Sequence, residues 1–144
     1  PARVVEGGDR ACSQPDADTI HLQALAQFDT AAAYYATRAH ETVHWTGHPG
    51  RLARDLTGRF GDGAYAAEEL VAELGAAMCC AEGGVSAVAR PDHAAYLAGW
   101  LRVLRADARA LVTVASRAQA AVDHLNTLAG HARHDDRDAH ETAA

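Results

Sequence analysis

The first 28 residues change character every few positions. "ARVVE" and "ACS" read as strands, "QPDAD" as a turn cluster, and "TIHLQAL" alternates before "AQFD". A small hairpin or three-stranded sheet is predicted over residues 1–28. From Asp29 onward the apolar period becomes helical. Asp29 or Thr30 can cap a helix running "AAAYYATRAHETVHWT", with Gly47 near its end. "HPGRLARDLTGRFGDG" follows as a Gly-rich loop. Asp62 precedes "AYAAEELVAELGAAMCCAE", a second helix that stops at Gly83 and Gly84. "ARPDHAAYLAGWLRVLRAD" starts a third just after Pro91. "ARALVTVASRAQAAVDHLNTLAG" is a fourth, ending near Gly130. The predicted architecture is α+β, mainly α: a domain over residues 1–130, β-rich at 1–28, with four main helices over 29–130. Residues 131–144, "HARHDDRDAHETAA", are polar, lack apolar periodicity and are expected to form a flexible tail.

Bulk properties narrow the function classes. The chain of 144 residues is one domain's worth and long enough to bury a core without disulfides. A formal net charge of −6 gives no global basic field for nucleic acid. Every basic side chain is Arg, which together with abundant Ala reads as compositional bias. Cys12, Cys79 and Cys80 make a poor disulfide framework, so a reducing, cytoplasmic setting is expected. "PARVVEGGDR" has no apolar segment of a signal peptide, and no apolar run approaches the roughly 20 residues of a membrane span.

The chemistry concentrates in "AHETVHWTGH", residues 39–48. Positions i and i+4 share one helix face, roughly 6 Å apart. His40 and His44 can therefore aim two imidazoles at one ion. Glu41, about 100° around the helix, can reach a water on that ion without ligating it and act as its general base. This is the H-E-x-x-H form of a metallopeptidase. The bland alternative is a hydrogen-bonded core histidine and a surface one. The helical context and the small-residue stripe of "AAAYYATRA", which would bury this helix, favour the metal.

A catalytic zinc site takes three protein ligands and keeps one position open. His48 is a poor third, because eight helical residues rise about 12 Å. Its spacing also misses the longer three-histidine form. It is expected in the loop or at the edge of the site. "YAAEELVAEL" offers Glu69 and Glu73 on one face, bordered by Leu70, Val71 and Leu74. One can ligate while the other accepts the N–H of a ligating imidazole, and the roles can be exchanged. Glu68, about 100° around, is expected to point elsewhere.

Weaker features default to structure. Tyr34, Tyr35 and Trp45 read as core or rim. Arg51, Arg54 and Arg59 in the connecting loop can meet a carboxylate or phosphate but are more often solvated or salt-bridged. Gly58, Gly61, Gly63 and Tyr65 can edge a cleft. Trp100, Leu101 and Leu104 form a helical core stripe, and Cys79 and Cys80 read as buried thiols. His131, His134 and His140 with Asp135, Asp136 and Asp138 could chelate metal only by ordering a flexible tail.

The long stretches "YYATRAHETVHWTGHPGRLARDL" and "GRFGDGAYAAEELVAELGAAMCC" resemble the zincin-like metallopeptidase domain of ArdC-type antirestriction proteins. "GGDRACSQPDADTIHL" and "ARPDHAAYLAGWLRVLRADARALVTVASRAQAAVDHL" are similar to the family's strand region and its C-terminal helices. The likeness covers most of residues 6–125. It implies a zincin-like fold, His40 and His44 as metal ligands and Glu41 as the catalytic acid. The E-x-x-x-[DE] form of the acidic helix resembles the glutamate-ligand zincins, which implies Glu69 as ligand and Glu73 as its support. The implied metal is Zn2+, with Mn2+ as the other choice. Thr42 departs from the larger apolar residue usual after the first Glu. Full-length members resembling this chain carry an N-terminal single-strand DNA-binding domain that its 28-residue N-terminal stretch cannot be. DNA binding is therefore not carried over, and the chain is read as a lone domain or a fragment.

Two functions follow. One is a zinc-dependent peptidase acting on a peptide or protein, with metal-bound water activated by Glu41. The other is a non-catalytic module, its helices stapled by metal, that inhibits a partner such as a restriction enzyme.

Overall fold

The computed structural model describes residues 2–56, 63–85, 100–101, 104–105 and 109–130. Three short strands open the chain: β1 (Arg3–Glu6), β2 (Cys12–Gln14) and β3 (Thr19–Leu22). They form one sheet of order β1-β3-β2, with β1 parallel and β2 antiparallel to β3. The predicted turn "QPDAD" is a 3-10 turn at Pro15–Ala17, closed by Asp18 in the left-handed region. β3 takes the centre because it is the most apolar strand. Thr19, Ile20 and Leu22 are all buried. Ile20 and Leu22, two residues apart, face the same way and pack with Tyr34 and Trp45.

Three helices are delimited: α1 (Ala31–Thr46), α2 (Gly63–Glu82) and α3 (Arg109–Leu128). Thr30 caps α1, accepting the Ala33 N–H at 3.1 Å. The predicted third helix of four lies mostly outside the described residues; Trp100, Leu101, Leu104 and Arg105 have helical backbone. Arg59, Gly58, Gly61, Asp62 and the tail histidines and aspartates also lie outside them. Among the described residues, no helix is long and apolar enough to cross a membrane.

A second core joins the helices: Val43 of α1, Val71 and Ala72 of α2, and Val114, Ala118 and Ala121 of α3. Leu125 touches both cores. The predicted flanking residues Leu70 and Leu74 are half-buried against this cluster. The α1–α2 contact is tight because Gly75 faces Val43. A Cβ at Gly75 would come within 3.0 and 3.1 Å of the two Val43 methyls. Val43 adjoins His44, so this glycine sets how near α2 comes to the histidines. Gly75→Ala is expected to lower stability by about 1–3 kcal/mol through overpacking, read as a shifted midpoint in urea unfolding.

Candidate metal centre

α1 carries His40 and His44 one turn apart, and their rings meet edge to face with centroids 4.7 Å apart. α2 brings Glu69 against both. The two Nε2 atoms are 3.1 Å apart. Glu69 Oε1 lies 3.4 Å from His44 Nε2, and Glu69 Oε2 lies 3.6 Å from His40 Nε2. Among the described residues, His40, His44 and Glu69 are the group whose donor atoms can converge on one ion. Ligands about 2.0–2.1 Å from a tetrahedral zinc sit roughly 3.3–3.4 Å from one another. The donor spacing matches that.

The far sides of both rings meet carboxylates. His44 Nδ1 is 3.1 Å from Glu68 Oε1. His40 Nδ1 is 3.1 Å from Glu73 Oε1, at an angle off the hydrogen-bond optimum. A carboxylate beside Nδ1 favours the tautomer with its proton there, leaving a lone pair on Nε2. Two Nε2 lone pairs then face each other in a buried interface. That arrangement is repulsive unless positive charge lies between them.

Without a metal, that positive charge can be a proton on His44. Burial works to lower the His44 pKa, but hydrogen bonds to Glu68 and Glu69 and the charges of Glu69 and Glu41 outweigh it, raising it to about 9. Burial works to raise Glu69, yet the contacts with His40 and His44 hold it well below the usual carboxylate range. Glu68 is also held low, His44 and Arg54 outweighing its burial. Glu41 is buried beside the histidines, and its carboxylate has no hydrogen-bond or ion-pair partner among the described residues. Its charge acts on His44 from beside the three-donor cluster.

The other predicted residues fall into place as follows. His48 lies beyond the end of α1, where its Nδ1 accepts the Gly50 N–H at 2.9 Å; it does not join the cluster. Tyr34 is buried and donates to Glu6 on β1, while Tyr35 is largely exposed. Trp45 is a packing residue. Its indole N–H donates to Asp18 at 2.8 Å, and the Arg51 guanidinium stacks on its ring. Arg51 also bonds Asp18 and is held in structure. Cys80 is buried, and Cys79 is half-buried with its thiol pushed up to about 11 by burial and by the Glu82 charge.

One expectation needs correction. Glu68 does not point elsewhere; it is buried and touches the second nitrogen of His44. An imidazole offers nitrogens on opposite edges, so adjacent residues of α2 can serve both. Arg54 takes the salt-bridged alternative of the two expected for a loop arginine, and it does so while buried. It grips Glu68 with Nε to Oε2 and Nη2 to Oε1, both at 2.9 Å. The adjacent acids of "EEL" were the available signal for Glu68.

A family model described as zincin-like metallopeptidase matches residues 1–117. The chain belongs to this family. The crystal structure of the antirestriction protein ArdC from plasmid R388, in its Mn(II)-bound form, is similar to this zincin-like domain at 42% identity. It has a TM-score of 0.79, over 92% of this chain and 49% of that one. The metal-free ArdC structure gives a TM-score of 0.78. The uncharacterized protein y4eC of Sinorhizobium fredii (strain NBRC 101917 / NGR234) is 47% identical over 123 residues, 85% of this chain. A DNA primase TraC of Escherichia coli is 43% identical over 117 residues, 81% of this chain. The zincin-like chain spans 40% of y4eC and 11% of TraC.

The raised His44 pKa has a pH signature in chelator-treated protein. Protonated His44 stabilises the fold fully below its unfolded value of about 6.5. That contribution is lost as pH rises through about 9. The urea midpoint is expected to fall between these pH values, and the His44→Ala variant is expected to show a flatter profile there.

Proposed function

We propose that this domain is a metal-dependent peptidase centre, with His40, His44 and Glu69 as ligands of one divalent cation. The carrying observation is the convergence of three residues in a buried interface: the two Nε2 atoms 3.1 Å apart, one Glu69 oxygen 3.4 Å from His44 and the other 3.6 Å from His40. The residues fit such a group: two Nε2 lone pairs and a carboxylate need a shared cation. A His/His/Glu set suits zinc, and the Mn(II)-bound relative supports manganese as the other choice. When bound, the cation supplies Lewis acidity, lowering the pKa of water and polarising a carbonyl.

The chain's own residues do the rest. Glu68 holds the His44 ring by its Nδ1, and the Glu73 carboxylate lies beside the Nδ1 of His40. Glu41, buried and with no hydrogen-bond partner among the described residues, takes the proton from the attacking water and passes it to the leaving amine. The burial of Glu41 and Glu69 at the α1–α2 interface keeps the donors in low dielectric, which strengthens each of these interactions. Similarity to ArdC supports an antirestriction setting and a protein as target or partner.

Elemental analysis of protein prepared without chelator is expected to find about one divalent ion per chain, lost in His44→Ala. Glu41→Gln is expected to keep the metal and lose peptidase activity by about 10²–10⁴-fold. Metal-loaded Glu41→Gln with undiminished function would instead favour the metal-stapled interaction module.

A further inference from the structure

Arg54 is the buried cation that the proposed peptidase chemistry leaves unused. Its side chain is 5% exposed, in a stretch that composition marks as loop. We infer that Arg54 is a positioning residue: through Glu68 it fixes the His44 ring and so sets the affinity of the 40/44/69 centre for a divalent cation. This rests on the metal-binding part of the function above, and not on peptidase activity.

The geometry runs without a gap from arginine to ligand. Arg54 Nε donates to Glu68 Oε2 and Nη2 to Glu68 Oε1, both at 2.9 Å. This fork holds both carboxylate oxygens in one plane. Oε1 then meets His44 Nδ1 at 3.1 Å. The other face of the guanidinium is anchored on the helix that carries His44. Nη2 donates to the Val43 carbonyl at 2.7 Å, and Nη1 to the Thr46 hydroxyl at 2.8 Å. Arg54 thus ties the backbone beside His44 to the acid that orients its ring. Lysine, a point donor, could not hold both oxygens and both α1 acceptors.

The loop is shaped for this insertion. The Leu52 N–H donates to the Thr46 carbonyl and the Arg54 N–H to the Gly47 carbonyl, folding the chain back over the end of α1. Ala53, just before Arg54, takes φ +49°, a conformation that disfavours a Cβ. Gly47 has φ −73°, so it needs no left-handed freedom. It is required for space: a Cβ there would lie 3.0 Å from Arg54 Nη2 and 2.9 Å from Leu56 Cδ2.

Zinc titration of the full chain against a chromophoric chelator tests this, comparing wild type, Arg54→Met, Glu68→Gln and the double variant. Each single change is expected to weaken zinc binding by about 10–100-fold, with the double no weaker than Glu68→Gln alone. Long-range 1H–15N spectra of zinc-loaded protein are expected to show an Nδ1–H proton on His44 in wild type that broadens in Arg54→Met. If circular dichroism shows Arg54→Met unfolded, Arg54→Lys carries the test and is expected to bind zinc several-fold more weakly with unchanged helicity. Wild-type zinc affinity in the Arg54 variant overturns the inference. So do losses that multiply in the double variant, because Arg54 would then brace α1 independently of Glu68. A wild-type chain that takes up no zinc overturns the metal reading itself, and is distinguished because it is seen before any substitution.

Discussion

Two imidazole nitrogens 3.1 Å apart, with a carboxylate completing the triangle, set the terms for the rest of this fold. While both rings are neutral and carry their proton on Nδ1, neither Nε2 can donate to the other. In water such a pair would separate. Here it is held by packing: His40 is 2% exposed, and α2 closes over it. The α1–α2 interface therefore stores electrostatic tension that positive charge relieves. A cation bound between these donors would also join the two helices, which is the logic by which metal sites contribute folding energy.

That coupling explains why small details of packing bear on chemistry. Gly75 lets α2 approach Val43 to van der Waals contact, and Val43 is next to His44. The same Val43 offers its carbonyl to Arg54. Four glutamates gather in this region: Glu41, Glu68, Glu69 and Glu73. Burying so much negative charge is tolerable only with hydrogen bonds and counter-charge. Arg54 answers Glu68 directly, and a divalent cation would answer Glu69.

Much of this was legible from the chain. The change from short alternating runs to a helical period placed the sheet before the helices. Asp29 or Thr30 was named as the cap, of which Thr30 is the one used, and Gly83 and Gly84 as a stop. The i, i+4 spacing of His40 and His44 put both rings on one face because helical geometry leaves no alternative. The same rule placed Glu69 and Glu73 on the face that meets them. The rule also caused the miss at Glu68. Periodicity assigns each residue one direction, whereas an imidazole has acceptors and donors on two edges and can be met by neighbours 100° apart. Arg54 was illegible for another reason. Its burial depends on Ala53 adopting a positive φ, and alanine carries no compositional sign of that. Gly47, placed near the helix end from the sequence, is the C-cap of α1, and its helical φ shows that the position needs absent volume, not left-handed freedom.

Whether a proton could serve in place of a metal is decided by distance. A protonated His44 has one N–H on its Nε2 edge and two acceptors before it: His40 Nε2 at 3.1 Å and Glu69 Oε1 at 3.4 Å. Charge-assisted N–H···O bonds close to about 2.7–2.9 Å. A centre built to hold a proton would draw Glu69 in to that range and let His40 turn away. Instead Glu69 spans both rings, one oxygen toward each, at 3.4 and 3.6 Å. These separations are too long for the best ion pair and near what three ligands around a small cation require. A proton on His44 reaches one or two of these neighbours, whereas a cation would engage all three donors at once.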